Sequence, residues 1–346
     1  MQTPREIFTR TLRFDNPERM PREIWRLQWA YLNIPDAIRE VDARWPGDAC
    51  GPGNVYRPAK RAFGDVYGVG TAADMWGCVF ENILPGVHGE VKDAVLKDLR
   101  DWRDVVRAPL EVLPENWDKA RDSVNRDCAN TDKFVKAGTN PRPWEQYQFF
   151  RGSEDALVDM ADPDSDVLGI LGVLHEFYLR ELEFWASTDV DCICFMDDWG
   201  SQRNLLIPPA LWREIFKPMY REYVDIAHSA GKFAMMHSDG WIESIYPDLV
   251  EIGLDAVNSQ LFVMDMEYLA KVAKGKLTFW GEMDRQHVLT ARDPQVGRDA
   301  VRKVAKHFYD PRGGYVNCFE AGLGSNPATI IAICEEWDEI QRVVKR

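Results

Sequence analysis

Positive charge is scarce in this sequence. There are 42 basic residues against 56 acidic ones, a net charge of -14. Phosphate binding needs a basic stripe and none is visible, so nucleic acid is excluded as a partner. An acidic surface chiefly favours solubility. Long apolar runs are missing too. None approaches the roughly 18 residues that a membrane helix needs, so no membrane partner is expected. The run "DVLGILGVLHEFYL" is broken by His175 and Glu176 and reads as a buried helix. The opening "MQTPREIFTRTLRF" is charged within its first turns and lacks an apolar core, unlike a secretory signal. Disulfide spacing is absent as well. Cys50, Cys78, Cys128, Cys192, Cys194, Cys318 and Cys334 form an odd, scattered set, as expected of reduced thiols in a cytoplasmic protein. Cys192 and Cys194 should point to one side of a strand and be buried there.

What is present is a regular second half. "VDCICFMDDWG", "KFAMMHSDG", "DAVNSQ", "KLTFWGEMD" and "GYVNCFEAG" are short apolar runs. Each is followed by a segment of helical character, the last being "NPATIIAICEEWDEIQRVVKR". Five strand–helix units in a row imply parallel strands with right-handed crossovers. Apolar strands throughout imply that both faces are covered. Gly231, Gly253 and Gly275 stand where helix C-terminal caps belong. In the first half, "DKFVKAGT" is a strand, and "PDSDVLGILGVLHEFYLRELEFWAST" is a long helix. Residues 40–125 are rich in Gly, Pro and Trp and read as excursions. The expected architecture is α/β: a (β/α)8 TIM barrel with an elaborated N-terminal region, residues 1–346 forming one domain. A doubly wound sheet is the alternative. Its phosphate fingerprint, "GVGTAA" at 68–73, lacks a clear strand–turn–helix context.

In such a barrel the active site lies at the C-terminal strand ends. Those ends carry Asp197 and Asp198, then His237 and Asp239, then Asn258 and Gln260, then Glu282 and Asp284, then Cys318 and Glu320. Asp197, Asp198, His237 and Glu282 are the candidate catalytic residues. Trp199, Trp241, Asn258 and Gln260 are the candidate substrate contacts. His237, Asp239, Cys318 and Glu320 are the candidate metal ligands. Imidazole, thiolate and carboxylate are zinc's ligand set. The same groups suit acid–base work by paired carboxylates. Spacing does not separate the two readings, because the ligands come from different strands. Bland roles compete with each assignment: an aspartate capping a helix, Asp284 orienting Arg285, Cys318 as a buried strand thiol.

The segments "IPPALWREIFKPMYREYVDIAHSAGK", "HSDGWIESIYPDLVEIGLDAVNSQ" and "LTFWGEMDRQHVL", with the opening "TPREIFTRTLRFDNPERMPREIW", resemble the uroporphyrinogen decarboxylase superfamily. The resemblance covers nearly the whole chain and implies a TIM barrel. It also implies one of two activities. The decarboxylases hold substrate carboxylates with an arginine-rich N-terminal segment; here the region reads "IWRLQWAYLN", with Arg26 alone. The other branch comprises corrinoid-dependent methyltransferases, whose zinc is held by a His-x-Cys pair and a later Cys. This chain keeps the histidine as His237, has Asp239 in place of the first Cys, and has Leu323 at or near the second. Cys318, Glu320 and Glu282 lie nearby as substitutes.

A carboxylate–imidazole set leaves zinc a harder Lewis acid than thiolates do. A harder centre suits an ether oxygen better than a thiol. The expected activity is therefore O-demethylation of a methoxylated aromatic, with transfer of the methyl to the cobalt of a corrinoid. The cobalamin should arrive on a separate carrier protein, since no D-x-H-x-x-G signature is present. Zinc is an open question, and a homodimer is left open. The 13 tryptophans, Trp25, Trp29, Trp76 and Trp144 among them, suit an aromatic donor as well as a packed core. The competing readings are a decarboxylase-like lyase, a methyl-corrinoid:thiol methyltransferase, and a non-catalytic barrel that binds a corrinoid or its carrier.

Overall fold

The computed structural model describes residues 1–162 and 165–344. Pro163 and Asp164, at the start of the expected long helix, and the terminal Lys345 and Arg346 lie outside the described residues.

Five strands form one sheet in which every neighbouring pair is parallel: Cys192–Met196, Phe233–Ser238, Ala256–Ser259, Thr278–Trp280 and Tyr315–Val316. These are the five apolar runs of the second half. Three two-residue strands complete the ring: Trp25–Arg26, Ala49–Cys50 and Phe134–Val135. Phe134–Val135 pairs in parallel with Ala49–Cys50, and Lys136 bridges to Cys192. On the other side Arg22 bridges Asn317, and Trp25–Arg26 pairs in parallel with Glu320–Ala321. The Asp48 N–H spans the last gap by donating to the Arg22 carbonyl at 2.8 Å. The product is a closed eight-stranded α/β barrel, the architecture that the strand–helix order predicts. The alternative doubly wound sheet is not formed. "GVGTAA" lies in an antiparallel hairpin, Gly70–Ala73 against Val79–Asn82, rather than in a phosphate-binding turn.

Alternation along the strands separates two apolar regions. Outward residues meet the helices in a large layer that includes Ile193, Phe195, Met236, Val257 and Phe279. Inward residues form a smaller cluster with Cys192, Met235, Ala256, Trp280 and Cys318. The helix Pro4–Leu12, started by a Thr3–Glu6 capping box, sends Phe8 and Leu12 into this inner cluster. Phe8 stacks on Phe134 with centroids 4.4 Å apart. Helix and strand meet where the strands begin, since Arg5 N–H donates to the Asp132 carbonyl. The barrel is thereby plugged at one end and open at the other. Cys192 and Cys194 do share a side, their sulfurs 3.9 Å apart, and all seven cysteines are free thiols. Gly231, Gly253 and Gly275 adopt φ of 71°, 82° and 78° just past three helices, the left-handed cap conformation that their positions predict. Among the described residues no helix is long and apolar enough to cross a membrane.

The N-terminal excursion, including the hairpin, covers one flank of the open end. The helix Val167–Ala186 backs it and carries Glu181, which is only 5% exposed. Burial pushes the Glu181 carboxyl up to about 7, against the pull of the neighbouring Tyr56 and Thr139.

Two stability predictions follow from these contacts. Phe8→Ala should cost about 3–5 kcal/mol, because the plug has no other ring to fill the cavity; denaturant unfolding that shows under about 1 kcal/mol would refute the plug. For Glu181, the unfolded chain releases its proton near 4.5 and the folded chain near 7. The folded state therefore holds more protons in that window, and stability falls as pH rises through it, by about 3 kcal/mol in total. Glu181→Gln should remove this slope, so that its stability relative to the parent rises between about pH 5 and about pH 8. Parallel pH profiles for the two proteins would contradict the assignment.

Candidate active site

The open end of the barrel gathers a histidine and two aspartates. Asp198 follows the fourth strand of the ring, His237 lies in the fifth and Asp239 follows it. One potential ligand atom from each lies within 4.8 Å of the others. His237 Nε2 is 3.5 Å from Asp198 Oδ1 and 3.6 Å from Asp239 Oδ1. Asp198 Oδ1 also accepts the Asp239 N–H at 2.9 Å, which fixes one carboxylate against the other loop.

Asn258 sets the histidine's orientation. It is the parallel-sheet partner of His237 and fully buried. Its amide NH2 donates to the Trp280 carbonyl at 2.6 Å and lies 3.7 Å from the Cys318 sulfur. Its Oδ1 is thereby turned to His237 Nδ1, 2.6 Å away. Nδ1 must carry the hydrogen, and Nε2 is the nitrogen presented to the two aspartates. The Trp25 ring, 5.4 Å from the imidazole, closes one side. Burial opposes a charge on His237, but Asp198, Asp239 and Glu282 outweigh it and push the imidazole up to about 10.

The loops that carry the aspartates touch backbone to backbone. A Cβ on Gly240 (φ 75°) would lie 1.9 Å from the Gly200 carbonyl oxygen, so only glycine fits there. Gly200 N–H donates to the Asp239 carbonyl, and Gly240 N–H donates to Gln260 Oε1. Beyond Asp239 opens a cavity of about 480 Å³ that Gln260, Glu282 and Arg285 also line. Arg285 is a hub there. It contacts Asp239, donates to Glu320 at 2.7 Å and lies 3.6 Å from Glu282. Burial pushes Glu282 up to about 8, with Arg285 pulling it down and Asp239 raising it further.

The donor set fits a divalent cation. Four carboxyl groups (Asp198, Asp239, Glu282 and Glu320) surround one guanidinium and one imidazole. Asp239 Oδ1 and both Glu282 oxygens are buried without a hydrogen-bond partner. Such orphaned acceptors are expensive unless a cation or proton satisfies them.

Several expected roles need correction. Asp197 faces the outer layer rather than the cluster. Its carboxylate accepts Trp144 N–H at 3.1 Å, Glu145 N–H at 2.7 Å and the Tyr220 hydroxyl at 2.6 Å. It caps the helix Pro143–Arg151, because adjacent residues leave a strand end on opposite sides. Trp199 is fully buried, stacked 5.2 Å from Trp144, and does not line the cavity beside Asp239. Trp241 packs on the outer layer and does not line the cavity beside Asp239. Asn258 is committed to His237 rather than to a ligand. Cys318 belongs to the inner apolar cluster, where burial drives its thiol well above the ordinary range. Glu320 binds Arg285 and, like Cys318, stands outside the group whose ligand atoms converge, where Asp198 is found instead. Asp284 accepts Gln286 and His287 N–H groups and does not orient Arg285. Arg26 pairs with Asp42 at 2.5 Å.

Sequence reasoning passed over Arg142 and Glu145. They pair at 3.1 Å just beyond the third strand. The signal was available: an arginine and a glutamate three apart, on either side of a proline that starts a helix. Glu145 senses the charges of both Asp198 and His237.

No family model and no curated protein matches the chain. Among solved structures, a methyltransferase from Methanosarcina mazei superposes with a TM-score of 0.64 at 12% identity, covering 98% of this chain and 99% of that one. A D-psicose 3-epimerase from Clostridium cellulolyticum H10 gives 0.35 at 15% identity, over 66% of this chain and 81% of its own. An endo-beta-1,4-xylanase from Gloeophyllum trabeum gives 0.37 at 10% identity, over 63% and 80%. The first likeness spans both chains end to end, and what the chain shares with that protein is its fold, an α/β barrel.

Proposed function

We propose that the chain is a methyltransferase that removes the methyl group of a methoxylated aromatic and passes it to the cobalt of a corrinoid carried by a partner protein. The observation that carries this reading is the cluster of Asp198, His237 and Asp239, an oxygen- and nitrogen-only ligand set at the mouth of the barrel. It is supported by the end-to-end fold likeness to a protein described as a methyltransferase.

A divalent metal, zinc being suited to imidazole and carboxylate, would be held by His237 Nε2, Asp198 and Asp239 and would supply Lewis acidity to the departing ether oxygen. The chain's own groups do the rest. Asn258, by holding Nδ1–H, leaves Nε2 as the nitrogen that would give up its proton to a metal, as partners behind ligating histidines do. Glu282, protonated near neutrality, faces the cavity and can give a proton to a departing phenolate. Arg285 holds Asp239, Glu282 and Glu320 in one arrangement and offsets their charge. The absence of a thiolate in the ligand group favours an oxygen leaving group over activation of a thiol. Arg26, spent on Asp42, leaves no arginine cradle of the kind a polycarboxylate substrate needs.

The test is methyl transfer from vanillate-like methoxyarenes to a reduced corrinoid protein. Turnover is expected, with Asp198→Asn and Asp239→Asn each lowering it about 100-fold or more. No turnover with any methoxyarene would sink the reading. The metal is checked separately. Asn258→Leu removes the acceptor at His237 Nδ1 and should weaken zinc binding about 10- to 100-fold in calorimetry. Unchanged affinity in a folded variant would show that the histidine's orientation does not matter to the metal.

A further inference from the structure

The rim of the open end carries an apolar surface that the fold leaves uncovered. Four segments build it. Residues 27–35 follow the first strand and include the short helix Gln28–Asn33. Residues 322–328 follow Glu320–Ala321. Residues 66–73 and 82–89 belong to the hairpin of the excursion. Main-chain hydrogen bonds join the segments side by side. Leu27 N–H donates to the Ala321 carbonyl at 3.0 Å, Trp29 N–H to the Gly86 carbonyl at 3.0 Å and Gly86 N–H to the Tyr67 carbonyl at 2.8 Å. On this frame Tyr31, Leu32, Val69, Ile83, Leu84 and Leu323 all stand exposed, Val69 by 66% and Ile83 by 94%.

Charge is missing from the same segments. Asp, Glu, Lys and Arg make up 28% of the chain, yet residues 27–35, 66–73, 82–89 and 322–328 contain none. Contiguous exposed apolar side chains with charge depleted among them mark the centre of a protein–protein interface. Val158, Tyr268, Val296 and Val343 are exposed as well, but they stand singly on four different helices, as on any surface. The rim also borders the cluster. Trp25, two residues before Leu27, lies 5.4 Å from the His237 imidazole, and Glu320, two residues before Gly322, holds Arg285.

We propose that this uncharged apolar rim is the docking surface of the corrinoid carrier, and that the carrier meets it with a face that is likewise apolar and free of charge. The proposal rests on the methyltransferase reading and places its partner. Cobalt has to come within bonding distance of a methyl group held at the cluster, so the carrier must seat on the open end, and the rim is the apolar part of that end. A charge on the carrier's face would be buried here without a counter-ion, which selects against it. A second copy of the chain seated symmetrically on the rim would close both mouths to the carrier. A lipid surface calls for Lys and Arg beside the apolar side chains, and the four segments have neither.

The experiment measures binding of the full chain to a corrinoid protein loaded with hydroxocobalamin, by biolayer interferometry. Leu32→Asp and Ile83→Asp each put one charge into the rim, and Val158→Asp puts the same charge on a remote helix. The rim variants should each raise Kd at least about tenfold and the remote one less than about twofold. Should Leu32→Asp lower the melting temperature, Ile83→Asp decides alone, because its side chain is almost wholly in solvent. An unchanged Kd in the rim variants, or no binding by the parent chain, overturns the assignment. So does a dimer of the parent chain, seen in sedimentation velocity, that Ile83→Asp dissolves, because the rim then belongs to a second copy. Methyl transfer from 2-methoxyphenol to free reduced cobalamin is assayed on the parent chain alongside. Transfer to free cobalamin with a carrier Kd indifferent to the rim would discard the docking surface and keep the methyltransferase reading. A rim-dependent Kd in a chain inert toward methoxyarenes would keep the surface and discard the methoxyarene as substrate.

Discussion

Closure of the ring is the constraint on which everything else depends. The first strand is two residues long and could not persist alone. It is held on one side by the last strand, with Glu23 N–H on the Asn317 carbonyl, Trp25 N–H on Phe319 and Leu27 N–H on Ala321. On the other side Asp48 ties it to the second strand. That aspartate is 1% exposed and accepts two 2.6 Å bonds from Arg19 and the Arg22 N–H. Closure brings the two ends of the chain to the same place. It sets Trp25 against His237 and Glu320 within reach of Arg285. The site is assembled from residues some 300 positions apart because the ring leaves no edge.

Polar groups inside the ring are arranged by depth. Near the plugged end the cluster is apolar. Midway, Lys136 pairs with Glu23 and stands 4.5 Å over the Trp280 ring. At the open end Asn258, His237 and the carboxylates follow in turn. Each layer orients the next: the Trp280 carbonyl fixes Asn258, Asn258 fixes His237, and His237 faces the aspartates. Such serial orientation costs no reorganisation when a ligand arrives.

The second half of the fold was legible in the sequence because four of its strands are long enough to show an apolar run, the fifth, Tyr315–Val316, lies inside one, and three of its helices end in glycine. The three short strands of the first half were not, apart from "DKFVKAGT", since two residues carry no period. The ends of the strands were legible as the place of the site. The division of labour there was not. Asp197 and Asp198 are neighbours with opposite destinations, and the pleat alone decides between them. Trp199 and Cys318 were read as rim residues and prove to be packing residues, because a strand end gives no sign of which side the next turn takes. The meeting of Tyr56, Trp76, Thr139 and Glu181 around one cavity under the excursion was beyond reach, since only tertiary packing brings them together.

The contact between Gly200 and Gly240 has a consequence for how the site can change. With no side chains between them, the two loops pack backbone on backbone, and this holds Asp198 and Asp239 beside one imidazole. Their mutual repulsion is then a standing property of the scaffold rather than of any bound state. The charge gathered at the mouth of the barrel is therefore set by steric exclusion between two glycines that stand outside the cluster itself.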